Sequence, residues 1–124
     1  MDSQEIVAIT KLLDTYFEGN KEINSKKILS TWHKDAQIIS TEKYLGMEGW
    51  VEFEEYYKKQ IDNDMSKWDI NFKIHSIDIF MNCAIVKVEV NYRVDQRKFD
   101  EIQYLNLLKD DNGWLIYSKI FKFY

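Results

Sequence analysis

His33 is the main candidate for acid–base chemistry in this sequence. It follows Trp32 at the end of a predicted helix. A helix C-terminus favours the protonated imidazole, and histidine titrates near neutral pH. His33 is therefore a candidate general acid or base, or a hydrogen-bond donor to a ligand at the mouth of a pocket. The alternative is structural, because the same ring could cap the helix or bond to Asp35.

The other reactive side chains are His75 and Cys83, which form no recognisable catalytic or metal-binding motif with His33. His75 lies where a β-bulge is predicted, and a bulge can turn a side chain toward a site. A solvent-exposed histidine is the simpler expectation, and Cys83 is expected to fill a small space beside a turn. The sequence shows no nucleophile with its base and no Gly-rich phosphate loop. We therefore expect no metal, no cofactor and no complete catalytic centre.

Aromatic side chains are the strongest sign of a binding site, since they make up 15% of the chain. The predicted ligand-binding residues are Tyr16, Trp32, His33, Tyr44, Trp50, Phe53, Tyr57, Tyr104 and Asn106. If the space between helices and sheet is open, its flat apolar walls and few polar tips suit a small planar organic molecule. If the rings fill that space, they form a core without a cavity. Both alternatives stay open.

The composition is that of a globular protein, with 45% apolar and 31% charged residues among 124. We expect a single domain over residues 1–124. The formal net charge of −4 argues against nucleic acid or an anionic membrane as a partner. A lone cysteine, no signal-peptide pattern and no apolar run near the roughly 20 residues of a membrane helix predict a cytoplasmic protein.

Helical periodicity dominates the first half of the chain. Three helices are predicted, at about 5–17, 25–32 and 48–61. Gly19 is expected to end the first helix, and Asn24 or Ser25 to cap the second. A short strand over Ala36–Ser40 is predicted between the second and third helices.

Strand periodicity dominates the second half. Alternation runs from Ile70 to Ile74 and then changes phase before Ile77, which predicts a bulge that bends the sheet. The clearest alternation covers Ala84–Val94. Two further strands, at about 99–109 and 114–123, are joined by a hairpin turn at 110–113.

The last two strands carry apolar residues on both faces, as Tyr104 and Leu108 alternate with Leu105 and Leu107. A sheet with one solvated face would alternate more cleanly between apolar and polar residues. One face should meet the helices, and the other needs a cover. We expect a homodimer through this sheet face, against the alternative of a solvated aromatic face.

Two passages resemble the NTF2-like superfamily, which is also called the cystatin-like cone. Residues 15–38, TYFEGNKEINSKKILSTWHKDAQI, resemble its entry motif of an aromatic, a Gly/Asn break, a second helix, an aromatic-His pair and an Asp-Ala step. Residues 104–121, YLNLLKDDNGWLIYSKIF, resemble the closing hairpin of the SnoaL-like or lumazine-binding branch. The resemblance implies an α+β fold, with three N-terminal helices packed on a curved, mainly antiparallel sheet. The branch name implies a ligand similar to lumazine or pterin.

Bacterial ketosteroid isomerases share the implied fold, and their catalytic groups can be carried onto this sequence. Tyr16 matches their helix tyrosine in spacing, counted back from the Asp-Ala step. Their base position falls on Ser40, which has no usable pKa for proton abstraction, and their acid position falls near Leu105. Two of the three groups are therefore missing, and Tyr16 is expected to be a core aromatic whose hydroxyl finds a partner.

Three functions remain as hypotheses. The first is a non-catalytic small-molecule-binding protein with an aromatic-lined pocket between helices and sheet. The second is a SnoaL-like isomerase, cyclase or dehydratase that uses His33 and Tyr16, which would have to converge on one cavity. The third is a homodimeric assembly module without a ligand.

Overall fold

The computed structural model describes residues 3–40, 47–50, 52, 54–55, 58 and 69–124. The elements are α1 Ser3–Glu22, α2 Ser25–Leu29, β1 Trp32–Ser40, β2 Met47–Glu48, β3 Asp69–Phe80, β4 Cys83–Val94, β5 Arg97–Asp110 and β6 Gly113–Phe123. All six strands form one sheet in the order β2-β1-β6-β5-β4-β3, and the two helices pack against it. The predicted α+β class is confirmed. Neither described helix has the length and apolar character needed to cross a bilayer.

The third predicted helix, at 48–61, is not confirmed. The backbone is helical at Gly49, Trp50, Glu52, Glu54, Glu55 and Lys58. Glu48 belongs to β2, and the remaining positions of that range, including Phe53 and Tyr57, lie outside the described residues, as does Tyr44. Two helices are therefore established among the described ranges instead of the three expected.

Helix α1 is longer than its periodicity predicted, because Gly19 does not end it. The glycine lies inside the helix and is buried, and a Cβ added there would approach Ile28 Cγ1 to 2.8 Å. Gly19 therefore serves the close packing of α2 on α1. The helix ends at Ile23, where φ is 50° and the amide of Asn24 donates to the Gly19 carbonyl.

Helix α2 is shorter than predicted. Its N-cap is Asn24, as expected, and the Asn24 side chain accepts a hydrogen bond from the amide of Lys27. The helix stops at Leu29, and Trp32 opens β1 instead of closing the helix. The first strand is thus nine residues long, where only Ala36–Ser40 was expected.

The sheet is antiparallel from β3 to β6, and β1 joins β6 in parallel. The predicted bulge is confirmed, since the β3–β4 register shifts between Ile74 and Ser76 and leaves His75 as the extra residue. A second bulge lies in β6 opposite the step from Asn106 to Leu107, where Tyr117 is the extra residue. Each bulge inserts one residue, so the odd- and even-numbered positions of the strand exchange faces beyond it.

The sheet has an inner face toward the helices and an outer face away from them. Strand β4 alternates cleanly, with Ala84, Val86, Val88 and Val90 buried on the inner face. Pairing with β4 places the odd-numbered residues of β5 on the same inner face, among them Leu105 and Leu107. The even-numbered residues of β5 therefore lie on the outer face.

Candidate functional site

The inner face changes in character along the strands. At one end it is wholly apolar, with Ala84, Leu107 and Ile116 side by side across three strands. Tyr16 of α1 and Trp32 of β1 pack on this end, with ring centroids 5.7 Å apart. Both side chains are 1% exposed. This end is closed core.

At the other end the inner face carries a polar group that we call the inner polar cluster, formed by Tyr92, Glu101 and Gln103. The Tyr92 hydroxyl donates to Glu101 Oε1 at 2.9 Å. Gln103 Nε2 donates to the same oxygen at 2.5 Å. Glu101 is 2% exposed and Gln103 is 1% exposed. A carboxylate and a carboxamide are therefore held together in the interior, next to each other on one strand.

The inner polar cluster is incompletely satisfied. Gln103 Oε1 is buried and has no hydrogen-bond partner within the described part of the chain. Glu101 forms no ion pair with any described lysine, arginine or histidine. A buried acceptor without a partner costs about 1–3 kcal/mol, so such groups are rare unless they serve a purpose.

A cation lies on the same inner face at Lys119, which is paired with Leu105 of β5 and with Ile38 of β1. Lys119 Nζ donates to the Tyr16 hydroxyl oxygen at 3.2 Å. It also lies 5.0 Å from the centroid of the Phe121 ring. No carboxylate pairs with Lys119 among the described residues. Among the described residues, the ammonium thus contacts the hydroxyl and ring of Tyr16 and the ring of Phe121.

The order of these groups along the sheet follows from the register. Glu101 pairs with Phe123, Gln103 with Phe121, and Leu105 with Lys119. Each step of two residues advances about 6.7 Å along a strand. The inner face therefore presents a carboxylate, a carboxamide and an ammonium in sequence over about 13 Å, flanked by two phenylalanine rings. These acceptors and this donor are chemically complementary to a ligand that carries hydrogen-bonding groups of the opposite kind.

His33 and Tyr16 are not brought together. The side chain of Tyr16 lies on the inner side against Lys119 and Trp32. The ring of His33 stacks on Tyr117, with centroids 4.2 Å apart, and its Nδ1 accepts a hydrogen bond from the Asp35 amide at 3.1 Å. Since Trp32 points inward, the next residue of the strand points outward. His33 thus has the Asp35 contact that the structural alternative predicted.

Two predicted pocket residues lie on the wrong face for a pocket between helices and sheet. Tyr104 is 43% exposed on the outer face, where Lys87 Nζ lies over its ring. Asn106, also on the outer face, donates from Nδ2 to the Ser118 hydroxyl at 2.7 Å. Their even parity in β5 is the physical reason, because Leu105 and Leu107 occupy the inner positions. Trp50 is 40% exposed and donates from Nε1 to the Trp32 carbonyl.

The other reactive residues of the sequence lie away from the inner polar cluster. His75 is exposed at its bulge, where Nε2 lies 3.0 Å from Glu89 Oε1 on the outer face. Cys83, expected to fill a small space beside a turn, is an exposed free thiol whose Sγ donates to the Phe80 carbonyl at 3.1 Å. Within the described ranges, no three His, Cys, Asp or Glu side chains come together as a metal site requires.

A hollow of about 350 Å³ lies beside α1, lined by residues of α1, of the segment after α2 and of the β5–β6 hairpin. Its lining includes Thr15, Ser30 and Thr31, whose hydroxyls all donate to backbone carbonyls of the preceding helical turn. Glu5 closes one side by accepting from Lys109 Nζ and Trp114 Nε1. The polar groups of this groove are therefore already satisfied, which makes it a weaker candidate than the inner polar cluster.

Sequence reasoning missed Tyr92, Glu101, Gln103 and Lys119. The signal for Glu101 and Gln103 was present, because they share the parity of Leu105 and Leu107 in the same strand. Polar residues on a buried parity mark a site more sharply than aromatic residues do. Lys119 was hidden by the bulge at Tyr117, which shifts the parity of β6 just before it.

Comparison with known families decides where this chain belongs. A family model described as "Putative lumazine-binding" matches residues 4–122, nearly the whole sequence. The chain belongs to this family. The matched residues run from the first turn of α1 nearly to the end of β6. Comparison with curated proteins gives no match.

Solved structures that are similar to this chain have the NTF2-like fold, which is also described as cystatin-like. An NTF2-like protein of unknown function from Shewanella baltica OS155 is 23% identical, with a TM-score of 0.75 over 100% of this chain and 97% of that one. A protein of unknown function with a cystatin-like fold from Nostoc punctiforme PCC 73102 is 10% identical, with a TM-score of 0.86 over 100% and 94%. A ketosteroid isomerase-like protein from Erwinia carotovora atroseptica SCRI1043 is 13% identical, with a TM-score of 0.79 over 98% of each chain. At these identities the likeness shows the fold alone, and the NTF2-like fold predicted from the two sequence passages is confirmed.

Proposed function

We propose that this protein binds a small organic molecule on the inner face of its sheet, against the inner polar cluster and Lys119. The observation that carries the proposal is the buried Gln103 Oε1, which lacks a hydrogen-bond partner among the described residues. It lies beside the buried Glu101 carboxylate, which lacks a cation among the same residues. A ligand that donates hydrogen bonds would supply both. Unsatisfied buried polar groups lower the stability of a protein, and they are typical of binding and active sites.

The ligand is planar, of the lumazine or pterin kind. Family membership supports this class, and so do the rings beside the polar groups. Phe121 and Phe123 flank Gln103 and Glu101 in the sheet, with their ring centroids 5.7 Å apart and nearly perpendicular. Flat apolar walls beside a few polar atoms are the usual lining of a site for a planar molecule.

The enzymatic alternative has no observation in its favour. An isomerase, cyclase or dehydratase that uses His33 and Tyr16 needs both side chains at one substrate, and the two lie on opposite sides of β1. The isomerase base position is Ser40 and the acid position is Leu105, which is fully buried. Binding without chemistry is therefore the function we propose.

We also propose that two copies of the chain associate through the outer face. Ile39, Ile120 and Tyr104 are neighbours across three strands and are 47%, 46% and 43% exposed. The patch is bordered by Lys87 and Glu89, whose opposite charges can pair across a twofold axis. An apolar centre with a charged rim is the usual anatomy of a protein–protein interface. A second copy covers this face without blocking the inner one.

A native mass spectrum of the purified protein, followed by denaturation of the same sample, tests both proposals. We expect a dimer that either carries a molecule of a few hundred daltons or takes one up from a panel of planar heterocycles. A dimer that binds no compound of the panel would contradict the binding function and favour the assembly module. A monomer that binds a ligand would contradict only the interface.

A further inference from the structure

We propose that the inner polar cluster selects a ring edge with two N–H donors followed by a carbonyl oxygen, as in a 2-amino-4-oxopyrimidine, over the corresponding 2,4-dioxo edge. A pterin carries the first edge and a lumazine the second. This inference rests on the proposed function and names the ligand class more narrowly than the family description does.

The acceptor half of the site is defined by the hydrogen bonds already made. Tyr92 and Gln103 both donate to Glu101 Oε1, which leaves Glu101 Oε2 as an acceptor. The hydrogen bond from Gln103 Nε2 to Glu101 Oε1 fixes the orientation of the carboxamide, because a flipped carboxamide would place Gln103 Oε1 against Glu101 Oε1. Gln103 Oε1 is therefore a second acceptor, and it is buried without a partner among the described residues. Two adjacent acceptors call for two donors on the ligand.

The donor half of the site is Lys119. An ammonium has three N–H donors and accepts none, and one of them points at the Tyr16 hydroxyl. Lys119 lies one pleat beyond Gln103 on the inner face, because its partner Leu105 is two residues further along β5. Its flexible four-carbon stem lets the ammonium meet a ligand oxygen nearby.

The order of the three groups then discriminates between the two ring edges. From Glu101 through Gln103 to Lys119, the face offers acceptor, acceptor and donor. A 2-amino-4-oxo edge presents donor, donor and acceptor in the matching order. A 2,4-dioxo edge would place its 2-oxo oxygen against the Glu101 carboxylate, which repels it. A mismatch of this kind leaves polar groups unpaired inside the site, and such mismatches discriminate strongly between ligands.

The test is a titration of the whole protein with pterin and with lumazine at neutral pH, in which quenching of protein or ligand fluorescence is followed. The two probes differ at the 2-position of the same ring system. We expect pterin to bind more tightly than lumazine by about tenfold or more, because lumazine loses a hydrogen bond to the charged Glu101. In Glu101→Gln the side chain can donate as well as accept, so the preference should fall to about threefold or less.

Asp100→Asn provides the matched control, since it makes the corresponding carboxylate-to-amide substitution on the outer face of β5. It should keep the wild-type preference, and circular dichroism of all three proteins shows that they are folded. Equal or tighter binding of lumazine by the wild type would overturn this inference while the proposed function stands. If neither compound binds and no other planar heterocycle binds either, the proposed function fails together with the inference. A preference for pterin that survives Glu101→Gln would also overturn the assignment to Glu101.

Discussion

Strand β5 carries two carboxylates at consecutive positions, and the two faces of the sheet treat them differently. Asp100 points outward, accepts hydrogen bonds from Asn91 at 2.7 Å and Arg93 at 3.0 Å, and pairs with that guanidinium. Glu101 points inward, is 2% exposed, and accepts hydrogen bonds from Tyr92 and Gln103. The outer carboxylate has a cation and partial access to water, whereas the inner one has neither among the described residues.

The difference separates a structural network from a binding site. On the outer face the hydrogen bond from Asn91 and the hydrogen bond and charge of Arg93 lower the pKa of Asp100, so its charge is satisfied in the protein itself. On the inner face, Gln103 Oε1 has no hydrogen-bond donor among the described residues. Buried polar groups that the chain leaves unpaired are the ones a ligand can complete.

The largest predicted difference between the two carboxylates is in their contribution to ligand affinity. Glu101→Gln should weaken pterin binding by about 2 kcal/mol, roughly thirtyfold, because a charged acceptor becomes a neutral one. Asp100→Asn, one residue away on the other face, should leave the affinity within about twofold. Isothermal titration calorimetry measures both. An equal loss in the two variants would show that binding does not depend on the inner face.

The second effect concerns the outer face alone. Ile120→Lys places a charge in the apolar patch and should weaken the dimer by about tenfold or more, with little change in monomer stability since the side chain is 46% exposed. Phe80→Lys is the matched control, because Phe80 is 70% exposed at the β3–β4 turn, away from the patch. Sedimentation velocity at several concentrations measures the dissociation. Similar weakening in both variants would contradict the proposed interface.

The third effect is on stability and has the opposite sign on the two faces. Glu101→Gln should leave the free energy of unfolding unchanged or raise it by about 1 kcal/mol, because a buried charge without a cation is removed. Asp100→Asn should lower it slightly, because Arg93 loses its ion pair. Urea unfolding in the absence of ligand measures both. A clear loss of stability in Glu101→Gln would identify the inner polar cluster as structural.

The smallest effect is the pH dependence of Asp100. Its pKa is lowered from 3.8 in the folded protein, first by the Asn91 hydrogen bond and then by Arg93. The stability it contributes is therefore present above that ordinary value and is lost as the pH falls through the lower folded pKa. Asp100→Asn should show a shallower loss of stability than the wild type between about pH 5 and pH 2. An unchanged slope would mean that the outer network adds nothing to folding.

Much of the fold could be predicted because the relevant signals are local. Alternation in β4, the phase change around His75 and the turn before Gly113 each depend on a few neighbouring residues, and the structure confirms them. Gly19 misled because a glycine within a helix can serve close packing as well as termination, and only the position of Ile28 distinguishes the two. The early start of β1 at Trp32 depends on pairing with Ile116, which is distant in sequence.

The site was harder to predict because it depends on which face of β5 points inward. Apolar residues occupy both parities of that strand, so the alternation alone does not show which parity faces inward, and Tyr104 and Asn106 were predicted as site residues. The register with β4 resolves the ambiguity, since Val86 lies beside Leu105. Lys119 depends in addition on the bulge at Tyr117. Unlike the bulge at His75, this one lies where apolar residues occupy both parities of the strand, so no change of phase marks it in the sequence.

The most direct test of the account is an ¹H–¹⁵N spectrum of the side-chain amides during a titration with pterin. Gln103 and Asn106 lie close together on β5 and point to opposite faces, so each reports on one side of the sheet. We predict that the Gln103 amide signals shift and saturate with the binding curve while those of Asn106 stay in place. Saturating shifts at Asn106 with none at Gln103 would place the ligand on the outer face and contradict the account.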